Sequence, residues 1–75
     1  MKQLHKDYVM IWDVACELGM QSQYVYYNII GLANKKRCDE GLRIILNDNY
    51  HQIQIHKDDV PELVQRIRAN YPGRW

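Results

Sequence analysis

Asp13-Val14-Ala15-Cys16-Glu17-Leu18-Gly19-Met20-Gln21-Ser22 joins two runs of helical periodicity through a single glycine. Upstream, Tyr8, Ile11, Ala15 and Leu18 recur at spacings of three and four, with Val14 widening the stripe, so one face of a helix is apolar. Asp7 is the expected N-cap, and Gly19 suits the left-handed turn that stops a helix. Downstream, Ser22 is the expected cap of a second helix carrying Val25, Ile29 and Leu32 along one side, until Asn34 and Lys35-Lys36-Arg37 break the pattern. A competing reading exists at the start, because Tyr8-Val9-Met10-Ile11-Trp12 is β-prone and could form a short strand before the helix.

After Gly41 the period changes from helical to alternating, and Asp48-Asn49 separates two β-prone runs by two turn-forming residues. With that pair as the turn, Leu46 faces His51, Ile44 faces Ile53 and Leu42 faces Ile55. One face then collects Leu42, Ile44, Leu46, Ile53 and Ile55, and the other Arg43, Ile45, Gln52 and Gln54. Only Ile45 outside and His51 inside break the alternation. A hairpin with one apolar face has to be covered. Asp59-Val60-Pro61-Glu62 supplies the covering helix with the layout of a capping box and a first-turn proline. Val60, Leu63, Val64 and Ile67 form its apolar stripe, Arg66 and Arg68 fall elsewhere, and Tyr71-Pro72-Gly73 stops it.

The expected fold is therefore α+β, in the order helix, helix, strand, strand, helix. A single domain spans 1–75, with the helix pair at 7–33, the hairpin at 42–56 and the C-terminal helix at 59–70. A chain of 75 residues has too small a core to enclose an elaborate active site. With 47% hydrophobic and 25% charged residues it is too apolar and too balanced for a disordered linker. No run approaches the roughly 18 apolar residues of a membrane span, and the first residues lack a secretory signal, so a soluble cytoplasmic protein is expected.

Cys16 and Cys38 lack the short spacing of structural zinc ligands, and His51 and His56, at an odd separation on a strand, point to opposite faces. No metal site is expected, and the thiols are expected to be reduced, Cys16 as a buried or half-buried residue of the first helix. There is no phosphate-binding glycine loop and no GxSxG, which leaves a non-enzymatic protein without cofactor. Trp12 is expected in the core or in a dimer contact, and Trp75 on a tail that is disordered or docks on a partner.

Residues 11–30 resemble the helix-turn-helix signature of DNA-binding regulators. Ala15 stands at its small fifth position, Gly19 at its ninth and Val25 at its fifteenth, with Val14, Leu18 and Met20 in the other apolar places. Each has a physical purpose: a small residue where the helices touch, a residue free to take positive φ in the turn, and an apolar lock between the helices. Asn28 departs from the pattern, occupying the usually apolar eighteenth position. With a hairpin following at once, the chain resembles a winged helix, and its compact order is most similar to small excisionase-, Cox- and MerR-type domains.

That resemblance implies a recognition helix in the major groove of double-stranded DNA, with Gln21, Ser22, Gln23, Tyr26 and Tyr27 outward. Gln can pair with adenine, and Ser and Tyr can reach phosphate or a thymine methyl. Lys35, Lys36, Arg37 and Arg43 against Asp39 and Glu40 make residues 31–45 net +2, in a chain of net +1, so this segment is expected to grip the backbone. Asn49, at the wing tip, would approach the minor groove. The implied protein is a small transcriptional regulator or an excisionase-like architectural factor, phage- or plasmid-borne, acting as a homodimer or cooperative oligomer because one small domain makes few base contacts. The alternative is a winged helix that binds a host or regulatory protein through its Tyr24, Tyr26 and Tyr27 face.

Overall fold

The computed structural model describes residues 4–74. Along them run β1 (Tyr8–Met10), α1 (Ile11–Leu18), α2 (Ser22–Ile30), β2 (Ile44–Ile45), a 3₁₀ turn (Tyr50–Gln52), β3 (Gln54–His56), a second 3₁₀ turn (Lys57–Asp59) and α3 (Val60–Ala69). The architecture is a small α+β fold with three α-helices among the described residues and an antiparallel sheet ordered β1-β3-β2. Trp75, expected on a tail, lies outside the described residues.

The first helix starts later than its periodicity implies. Tyr8–Met10 is a strand, the β-prone alternative, and Asp7 is no cap: it takes φ 65°, and its carboxylate pairs with Lys57 at 3.4 Å. Two long-range hydrogen bonds fix the strand, Lys57 N to Asp7 O at 2.8 Å and Ile11 N to Ile53 O at 2.9 Å. Apolar residues at 8, 11, 14, 15 and 18 fit one long helix or a strand feeding a shorter one, and the pairing of Val9 with Ile55 decides between them. The chain therefore begins strand, helix, helix, and the order helix, helix, strand, strand, helix gains a strand at its front.

The turn between α1 and α2 is as expected. Gly19 sits at φ 69°, ψ 33°, its N–H donates to Cys16 O, and the Met20 N–H donates to Ala15 O at 3.1 Å. This double closure of a helix end requires a left-handed residue, which glycine supplies without steric cost. Ala15 and Val25 are fully buried between the helices. The core they open onto contains Ile11, Val14, Leu18, Ile29, Ile53, Ile55, Leu63 and Ile67.

The strand pairing is offset by two residues from the expected register, with Ile44 opposite Ile55 and Ile45 opposite Gln54. An even offset preserves the alternation of the paired residues, so alternation alone cannot distinguish the two registers. The connection is a longer loop around the 3₁₀ turn, because Asn47 Oδ1 accepts from Asn49 N and Asn49 Oδ1 accepts from His51 N. Leu46 consequently leaves the apolar face and stands 48% exposed, and His51 is exposed rather than inside. Gln54, expected outward, is buried, its Oε1 accepting from His5 N at 2.8 Å.

Other local expectations yield to tertiary partners. Ser22 is the first residue of α2 and not its cap, which is Gln21, and the Ser22 hydroxyl is buried without a hydrogen-bond partner. Leu32 lies beyond the end of α2 and is exposed. The capping box at α3 does not close: Asp59 turns to Arg43 and Glu62 to Arg66. Cys16 is exposed and Trp12 is 63% exposed, so neither belongs to the core. Cys38 does, and burial pushes its thiol pKa up.

Candidate nucleic-acid interface

A helix advances about 100° per residue, so α2 has three distinct sides. Ser22, Val25 and Ile29 face the core. Gln23 and Tyr27 lie opposite, one turn apart, with the Gln23 side-chain amide donating to the Tyr27 hydroxyl. Gln21, exposed, precedes them at the N-cap. The helix has no acidic residue in its first turn and no side-chain cap, so its N-terminal dipole is not offset locally.

Each flank of α2 carries a different neighbour. On one, Tyr26 stacks on Tyr50, ring centroids 5.5 Å apart at 23°, and Ile30 and Leu46 line a shallow groove beside Asn47. On the other, the buried Asn28 amide donates to Tyr24 O and to the Tyr71 hydroxyl, each at 2.8 Å. Asn28 Oδ1 accepts from Asn70, whose amide also reaches Lys36 O. The residue that breaks the apolar pattern is thus the anchor for the segment after α3, and Ile29 is buried as well.

This arrangement sorts the expected contact residues. Gln23 and Tyr27, both half-buried, form a row on the side of α2 away from the core, exposed Gln21 precedes them at the N-cap, and Lys36 is exposed in the loop after α2. Ser22 is not outward but buried, because helix capping passed to Gln21. Tyr26 belongs to a flank, held by Tyr50. Asn49 is exposed, with its side chain engaged in the loop turn. Lys35 lies over the Tyr71 ring, its ammonium 4.2 Å from the centroid. Arg37 makes a two-pronged contact with Asp39 at 2.6 and 3.1 Å, which raises its pKa further.

Arg43 is likewise engaged, donating from Nε and Nη2 to Asp59, while its backbone N–H donates to the same carboxylate at 2.8 Å. The hydrogen bonds from the Arg43 side chain and backbone hold the Asp59 carboxyl down at about 2. A folded-state pKa below the unfolded one stabilises the fold above the ordinary carboxylate range, and that contribution is lost as pH falls through the folded value. Arg43→Met will therefore melt a few degrees below the parent at neutral pH, and the gap will close as pH falls from about 4 to about 2. Parallel thermal melts across that range check it; a gap independent of pH would assign the loss to packing.

One feature is invisible in the linear sequence. Segments 31–37 and 66–74 contain Lys35, Lys36, Arg37, Arg66, Arg68 and Arg74, six of the ten basic residues, and no Asp or Glu. The fold packs these segments side by side through Asn70 to Lys36 O and Lys35 over Tyr71. Arg68 and Tyr71 are read from the sequence only as helix positions, and Arg74 is given no role, since residues 46–75 sum to zero charge. The available signal was the run after Glu62, which contains only cations.

Among the described residues no group of three or more His, Cys, Asp or Glu is placed to hold a metal ion, and no helix is long and apolar enough to cross a membrane. Comparison with protein-family models, with curated proteins and with solved structures finds no match for the chain.

Proposed function

We propose that the chain is a winged helix-turn-helix protein that binds double-stranded DNA in a sequence-specific way, as a small transcriptional regulator or an excisionase-like architectural factor of phage or plasmid origin. It acts in the cytoplasm without catalysis or cofactor. The observation that carries this reading is the half-buried pair Gln23 and Tyr27, hydrogen-bonded on the side of α2 away from the core and preceded by exposed Gln21, on a helix set against α1 by the Gly19 turn. The loop around Tyr50 borders one flank and the basic segments border the other. Pairing of β1 with β3 further supports a wing, because it ties the hairpin to the strand that leads into the helix pair. With few phosphates within reach of one copy, a dimer or cooperative array supplies the remaining affinity.

Selection from random duplex DNA by the purified protein tests the reading. A preferred site should emerge, with binding that weakens steeply as salt rises. Lys36→Glu will weaken binding to all sequences alike and lower the salt slope by about 1; failure to enrich any sequence, with no salt-dependent binding, overturns the proposal. The second reading, a protein-binding module, is favoured by Tyr24, 48% exposed at the edge of the tyrosine cluster. It predicts instead a salt-tolerant complex with one protein, lost on Tyr24→Ala or Tyr27→Ala in a folded variant.

A further inference from the structure

No Lys or Arg occurs from Asp7 to Asn34 or from Ile44 to His56, so α2 and the loop between β2 and β3 contain neither. Arg43, the last cation before that loop, is held by Asp59. The two elements nonetheless make one surface. Tyr24, Tyr27 and Tyr26 follow one another with ring centroids 6.0 and 6.1 Å apart, Tyr26 stacks on Tyr50, and the Tyr50 ring lies 4.2 Å from that of His51. Four amides belong to this surface, Gln21 and Gln23 at the start of α2 and Asn47 and Asn49 in the loop. The loop amides are one-sided: Asn47 Oδ1 accepts from Asn49 N at 2.9 Å, and Asn49 Oδ1 accepts from His51 N at 3.1 Å. With both oxygens occupied, each side chain has its NH2 group left to give, and neither NH2 group has a partner among the described residues.

We infer, resting on the DNA-binding reading, that this surface selects A·T base pairs, with the Asn47 and Asn49 NH2 groups donating to adenine N3 and thymine O2 in the minor groove beside α2. The floor of the minor groove presents acceptors alone at an A·T pair, whereas G·C adds the guanine N2 amino group, itself a donor. An asparagine whose oxygen is free can turn to accept from that amino group. Asn47 and Asn49 cannot do so without releasing the backbone N–H that each holds, so a guanine in reach meets donor against donor. Asn49 is exposed, and the stack of Tyr26 on Tyr50 keeps the loop against the flank of α2. The helix favours the same base pairs. Arg and Lys, the commonest guanine readers, are missing from it, and the Gln23 carbonyl with its second N–H matches the N6 and N7 edge of adenine. Asp48, exposed between the two loop amides, opposes phosphate contact, so the loop contributes selectivity more than affinity.

The test uses the parent protein and the duplexes it selects, with base analogues that alter one groove at a time, read by competition binding. Replacing adenine by 2,6-diaminopurine adds the N2 amino group in the minor groove and keeps the N6 and N7 edge. Replacing A·T by inosine·cytosine changes the major-groove edge and keeps a minor groove of acceptors alone. At the pairs beneath the loop, diaminopurine will weaken binding about 10-fold, and inosine·cytosine will bind as A·T does. Asn49→Asp keeps an oxygen for His51 N but has no NH2 group, and it will lower that ratio; the ratio is the readout because the added charge weakens binding to every sequence alike. Thermal melts check that the variant folds, and the analogue series on the parent decides without it. If the bound duplexes show no A·T preference, if diaminopurine is tolerated at every pair, or if folded Asn49→Asp keeps the parental ratio, the loop does not read the minor groove while the DNA-binding reading stands. If the parent binds no duplex at low salt, both fall.

Discussion

Asn28→Ala will destabilise the fold by about 3 kcal/mol and lower the melting temperature by on the order of 15 °C. The side chain is fully buried and makes three hydrogen bonds, donating to Tyr24 O and the Tyr71 hydroxyl and accepting from Asn70. Each bond contributes about 1 kcal/mol net, and truncation adds the cost of a cavity next to Ile29. Asn70 retains Lys36 O as an acceptor, and half-buried Tyr71 can turn to water, so the loss is bounded. For a domain this small, it is a large share of the total stability. Asn28→Leu separates the causes, since it fills the volume and removes every polar contact: it should recover less than half of the loss. Urea titrations of both variants measure this. An Asn28→Leu protein as stable as the parent would falsify a structural role for the network and return the position to the usual apolar pattern.

Local chemistry made some of this fold readable from sequence, and long-range contact decided the rest. Ala15, Gly19 and Val25 were readable because each answers a constraint within a few residues: a close helix contact, a left-handed turn, an apolar lock. Tyr8–Met10 was ambiguous because a strand feeding a helix and one longer helix satisfy the same spacings, and only β3, more than forty residues on, distinguishes them. The burial of Ile53 and Ile55 was readable, but the placement of Leu46, His51 and Gln54 was not, nor was the register, since any even offset preserves the alternation. It is set instead by the Asn47 and Asn49 turns and by the stacking of Tyr50 on Tyr26.

The candidate site divides along the same line. Helical phase put Gln23 and Tyr27 away from the core, where they are nonetheless half-buried, whereas Ser22 failed because capping preference favours serine while the core claims that position. Arg37 and Arg43 were assigned to phosphate by type, and their carboxylate partners differ in legibility: Asp39 is two residues away, Asp59 is sixteen. The basic face escaped because charge was summed along the chain. Asp59 pairs with Arg43 and Glu62 with Arg66, while segment 66–74 packs against Lys35 and Lys36 through Tyr71 and Asn70.

Gln23→Ala will weaken binding to the selected DNA site by roughly 10- to 100-fold while leaving binding to random duplex unchanged, in line with the discrimination of about 1–3 kcal/mol expected of one base-pairing side chain. The reason is geometric. Gln23 lies half-buried on the side of α2 away from the core, and its amide nitrogen is already held by the Tyr27 hydroxyl, so contact of its oxygen with a base edge would cost little further rotamer entropy. Tyr27→Phe removes that orienting acceptor but keeps the ring, and should lose affinity by a smaller factor, with non-additive losses in the double variant because the two side chains act as one unit. The salt slope distinguishes this row from the basic face. Gln23→Ala removes a neutral contact and must keep the parental slope, whereas Lys36→Glu must change the slope and spare the sequence preference. If Gln23→Ala and Tyr27→Phe bind the selected site as tightly as the parent while Lys36→Glu fails, the duplex is held by charge alone and α2 does not read the groove. The tyrosine face is then open to a protein partner.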